Sequence, residues 1–152
     1  APPQTALGRD SEGMAIRRSL ARARALQVVG KPTEARNVAE ALVPRAEHDP
    51  RLTAQVLSQL GSLLDDLGEA KRAEDVLLQG VSAAERGADD SMKATLLVRL
   101  VWVVGISSGR FDEAERLGKL ATAALERADD RSLRATLAYS LGNVDDARGR
   151  HG

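Results

Sequence analysis

Chemistry in this chain would have to come from few residues. There are two histidines, His48 and His151, and neither has a second ligand at metal-binding spacing. There is no cysteine, so thiolate metal sites, disulfides and thiol nucleophiles are excluded. Gly30-Lys31-Pro32-Thr33 has the look of a phosphate loop. The earlier glycine of that motif would fall at Ala25, however, and no strand precedes it, so it reads as a turn. Four aspartate pairs remain. Asp89-Asp90 and Asp129-Asp130 precede apolar runs and read as helix caps. Asp65-Asp66 and Asp145-Asp146 fall late on helical stretches, where the helix dipole does not favour them. They are either solvated or placed for a basic partner. The run Arg17, Arg18, Arg22, Arg24 has no aromatic residues beside it and reads as a solvated helix face, not a nucleic-acid surface. Nothing here forms a catalytic constellation. No metal or cofactor is expected.

The totals agree with a binding module. The chain has 152 residues, 22 basic and 22 acidic, with 43% apolar and 2% aromatic residues. Zero formal charge supplies no field for nucleic acid or an anionic membrane. The longest apolar run, Leu96 to Ile106, is broken by Arg99 and is about half of a bilayer span. The expected setting is a reducing, cytoplasmic one. The partners expected are proteins or peptides, with neither nucleic acid nor membrane.

The elements that must position any site are helices. Residues 1–10, with Pro2 and Pro3, read as a linker, and the absence of Met at position 1 suggests a piece of a longer protein. Apolar residues then recur at helical spacing in seven stretches: from about 11 to 29, 32 to 47, 51 to 67, 70 to 86, one from about 94 that stops before Gly109, 111 to 127 and 132 to 148. Val56, Leu60, Leu63 and Leu67 form the cleanest stripe. The fifth stretch is apolar on all sides from Leu96 to Val104 and belongs in the interior.

These stretches repeat. Gly30, Gly68, Gly109 and Gly149 stand 38, 41 and 40 residues apart. Ala35, Ala73 and Ala114 each follow a turn glycine by five residues, and Gly61 and Gly142, each after a leucine (Leu60, Leu141), precede Gly68 and Gly149 by seven. A positive-φ glycine stops a helix, while a small residue lets two helices cross closely. A period of this length means stacked helical units. The units fall at about 11–49, 50–88 and 89–129, with a partial one at 130–152, all within one array over 11–152.

The set Leu60-Gly61…Gly68…Ala73 resembles the tetratricopeptide repeat, with a period nearer the longer-helix variety found in kinesin light chain. Repeat three departs from it, with Trp102 in the slot of the first glycine. The stretches Gly109-Arg110-Phe111-Asp112-Glu113-Ala114-Glu115 and Leu141-Gly142-Asn143-Val144 are similar to the repeat region that follows the catalytic domain in many myxobacterial serine/threonine kinases. The resemblance implies an all-α, right-handed superhelical array of antiparallel helix hairpins. It also implies a regulatory or sensor role in bacterial signalling through protein–protein interaction. No kinase motif is in the chain, which is expected to have no catalytic activity.

In such an array the first helix of each pair lines a concave face. The residues expected there are Arg17, Arg24 and Gln27; Gln55, Ser58, Ser62, Asp65 and Asp66; Arg99; and Tyr139, Asn143 and Asp146. A small molecule bound in the groove and dimerisation are the rival functions. The dimerisation reading expects Leu133, Leu137 and Leu141 to lack cover, leaving the carboxy-terminal helix open to self-association.

Overall fold

The computed structural model describes residues 6–151, and side chains from 8 to 150. All the elements in it are helical: α1 (Ala6–Val28), α2 (Pro32–Ala46), α3 (Pro50–Asp66), α4 (Ala70–Arg86), α5 (Asp90–Trp102), α6 (Phe111–Ala128) and α7 (Arg131–His151). A π-helical turn, Val103–Ser107, extends α5. Among the described residues there is no strand, and no helix is long and apolar enough to cross a membrane.

Local chemistry sets most boundaries. Gly30, Gly68 and Gly109 take φ of 78°, 78° and 67°, a region closed to most side chains, and each ends a helix. Asp49, Asp89 and Asp130 accept hydrogen bonds from the backbone N–H three residues on, at 3.2, 3.1 and 2.9 Å, satisfying donors at helix starts. At the α4–α5 turn the positive φ, 50°, falls on Ala88. Gly87 is needed for another reason: a Cβ there would lie 2.8 Å from Arg51 Cγ, and Arg51 donates to the Gly87 and Ala88 carbonyls at 2.7 and 3.0 Å.

Each helix packs on its neighbour in sequence, and the odd-numbered helices also touch in order, α1 on α3, α3 on α5 and α5 on α7. The expected interior helix is at the centre. α5 contacts α3, α4, α6 and α7, and Leu96, Leu100 and Val101 are fully buried. Ala35, Ala73 and Ala114 are fully buried as well, as their place after each turn glycine requires.

Several expectations change. Helix α1 begins by Ala6, inside the stretch expected to be linker, because no proline follows Pro3 to stop the helix growing back from its packed part; residues 1–5 lie outside the described residues. Gly149 lies within α7, not at a turn. No described element follows α7 to draw the chain around there. Gly142, marked as a close crossing, faces open space, whereas a Cβ on Gly61 would fall 2.4 Å from Leu77 Cδ2. The leucine stripe of α7 is covered. Leu137 is buried in the core, and Leu133 and Leu141 pack against that core. The helix turns its apolar side onto α5 and α6 and leaves Ala135, Ala138 and Gly142 outward.

The extra residue in repeat three is taken up by the π turn. Ser108 N–H and Arg110 N–H reach back to the Val103 and Val104 carbonyls, both at 3.0 Å, in wider loops than an α-helix makes. The turn brings Gly105 to where α5, α6 and α7 converge. A Cβ on it would lie 2.5 Å from Val144 Cγ2 and 2.8 Å from Ala114 Cβ.

Candidate functional site

The site is built where the odd-numbered helices meet. Helix α3 carries Ser58, Ser62, Asp65 and Asp66 on the side facing α1 and α5, one turn apart. Gln27, at the end of α1, donates to Ser62 Oγ at 3.1 Å and to Asp66 Oδ2 at 2.6 Å, and accepts from the buried Gln59 at 2.6 Å. From the other side, Arg99 of α5 donates to the Ser58 carbonyl at 3.1 Å, and Ser107 of the π turn donates to Asp65 Oδ1 at 2.6 Å. Late-helix aspartates are therefore held by neutral donors from two other helices.

A cavity of about 340 Å³ opens between α3, α5 and α7. Its polar lining is Ser62, Asp65, Asp66, Arg99, Thr136 and Ser140, and its apolar lining includes Leu77, Val98 and Val103. Trp102 and Tyr139 complete it. They are the only Trp and the only Tyr of the chain, and their rings stack, with centroids 6.1 Å apart and planes 8° from parallel. The volume lies near the lower end for small-ligand pockets, roughly 300–1,000 Å³. Burial pushes the Arg99 guanidinium below its ordinary value; Asp66 opposes that shift and the nearby Arg24 adds to it.

Of the residues expected from sequence, Ser62, Asp65, Asp66, Arg99 and Tyr139 line this cavity, and Gln27 and Ser58 bond directly to its walls. Arg24 contributes through its charge. The other four do not line the cavity. Arg17 is exposed on α1 and Gln55 half-buried on α3. Asn143 donates to the Tyr139 carbonyl at 2.7 Å within its own helix, and Asp146 is exposed, its carbonyl accepting from Arg150. Sequence reasoning missed Trp102, Val98 and Ser140 as lining. A signal for Trp102 was present: the largest side chain stands in a slot where the repeat wants the smallest.

Among the described residues no three His, Asp or Glu side chains come together to hold a metal, and His48 is exposed. No protein-family model matches the chain, and no curated protein matches it either.

Proposed function

We propose that the chain is a right-handed superhelical array of helix hairpins of the tetratricopeptide kind, and that its work is to bind a protein or peptide in the groove lined by α1, α3, α5 and α7. One observation carries this reading. Residues of α3, α5 and α7, supported by Gln27 of α1, meet at one cavity that also holds the only Trp and the only Tyr. Aromatic side chains in a partly polar groove are the usual anchors of recognition surfaces. The 38- to 41-residue spacing of the turn glycines and the ordered contacts among odd-numbered helices support the array reading.

On the resemblance to kinase-linked repeats, we place the array in a larger bacterial signalling protein as its regulatory or sensor region, with no catalysis of its own. The coding sequence upstream of Ala1 checks that placement. A serine/threonine kinase region there supports it, and an unrelated region removes it.

The binding claim has a direct test. Trp102, as the only Trp, is an intrinsic fluorescence reporter inside the groove. A random peptide array probed with the labelled chain should yield binders that change Trp102 emission, and Tyr139→Ala should weaken them by about tenfold or more, the loss of one aromatic anchor. Binders indifferent to Tyr139→Ala, or an array with no binders, would overturn the groove assignment.

A further inference from the structure

Part of the molecule's surface charge is paired. Six arginines, Arg36, Arg45, Arg72, Arg110, Arg134 and Arg148, reach carboxylates within ion-pair distance. Most of these pairs lie at the surface, where pairing is worth least. The cavity between α3, α5 and α7 brings charges of both signs to one space. Arg99, Asp65 and Asp66 all line it, and none of them takes part in an ion pair among the described residues. Arg99 spends one N–H on the Ser58 carbonyl. The aspartates are held by an alcohol and an amide, which fix their positions without neutralising them. A positive and a negative group thus share the walls of one partly apolar space without an ion pair between them; Arg99 loses solvation there, while Asp66 stays exposed.

A lone anion entering to meet Arg99 would be repelled by two carboxylates. A lone cation entering to meet Asp65 and Asp66 would be repelled by Arg99 and Arg24. A small ligand carrying both charges meets neither obstacle. We propose that this cavity binds a zwitterion of the α-amino-acid class, its carboxylate on Arg99, its ammonium on Asp65 and Asp66, and an apolar or aromatic side chain against the Trp102–Tyr139 pair. The guanidinium fork suits a carboxylate, and the ring faces suit a flat or aliphatic group. The lining comes from α3, α5 and α7 with Leu77 of α4, so a bound ligand would tie successive repeats together. This goes beyond peptide docking and stands without it.

The experiment is calorimetry and Trp102 fluorescence on the full chain with the standard L-amino acids, each binder then compared with its N-acetyl and its amide form. We expect sub-millimolar binding of one or more apolar or aromatic amino acids, with either cap weakening it by about tenfold or more, the loss of a charge-assisted contact. Arg99→Gln should abolish binding. Should that variant fail to fold, Asp66→Asn, at an exposed carboxylate, should lower affinity while the melting curve stays in place. No binding by any amino acid, equal binding of the capped forms, or binding unchanged in a folded Arg99→Gln or Asp66→Asn variant would overturn the proposal. A chain that ignores amino acids but binds peptides through Tyr139 overturns this inference and leaves the docking groove standing. A chain that binds amino acids and no peptide does the reverse.

Discussion

Arg99 is the residue where function and stability pull apart most clearly. Its guanidinium is desolvated enough to be pushed below its ordinary value, lies near a second arginine, and has no carboxylate at ion-pair distance among the described residues. A desolvated charge offset only by the more distant Asp66 destabilises the fold. Arg99→Met keeps the length of the side chain and removes the charge. It should raise stability by about 1 kcal/mol in urea denaturation while removing ligand binding. A fall in stability would mean that the bond to the Ser58 carbonyl holds α5 to α3. Glu12 shows the opposite balance. The hydrogen bond from Arg45, at 2.7 Å, holds its carboxyl below the ordinary 4.5; desolvation opposes this, and the charges of Arg45 and His48 assist to a lesser degree. A depressed carboxyl stabilises the fold in full above its ordinary value, and that contribution is lost as pH falls through the depressed one. Glu12→Gln should therefore be less stable than the parent at neutral pH. The gap should close in acid below the carboxylate range, as denaturation at the two pH values would show.

At the scale of elements, identical marks in the sequence have different physical meanings. Gly61 and Gly142 both follow a leucine and both stand seven residues before another glycine. Gly61 sits against Leu77, which is fully buried, so Gly61→Ala should cost about 1–3 kcal/mol by overpacking. Gly142 meets nothing within 4 Å on a helix exterior, so Gly142→Ala should gain about 0.5–1 kcal/mol from helix propensity. Thermal melts of the two variants moving in opposite directions would confirm the difference, and equal shifts would refute it. The π turn belongs to the same scale. It absorbs one more residue than α3 carries, sets Gly105 at the junction of three helices, and leaves Trp102 on the cavity side.

For the whole molecule, the contacts order the stability. Helices α3 and α5 each touch four other helices, while α1 touches α2 and α3 and α7 touches α5 and α6. In a chain of units that hold one another only through neighbours, the ends open first. Amide exchange should be slowest in α3 and α5, with α4 and α6 next, and fastest in α1 and α7. Uniform protection across all seven helices would mean one cooperative unit. Ion pairs join α4 to α2 (Arg72 to Glu40), the start of α6 to α4 (Arg110 to Glu74) and α7 to α6 (Arg148 to Asp112). They lie at the surface and set register more than strength.

The helices, their number, most of their ends and the burial of α5 could be read from the sequence because they depend on local rules: apolar spacing, glycine turns and aspartate caps. Part of the site could be read as well. Ser62, Asp65, Asp66, Arg99 and Tyr139 were placed by counting along the repeat, which works while the period is regular. Three features could not be read this way. The π turn breaks the count, and only the packing of Gly105 against Ala114 and Val144 makes that break favourable. The Trp102–Tyr139 stack joins residues from α5 and α7 that no local rule pairs. The inward stripe of α7 depends on α5 and α6 offering a surface to cover it. Spacing along one helix defines which residues share a face. What that face meets is decided by helices distant in sequence, through close packing.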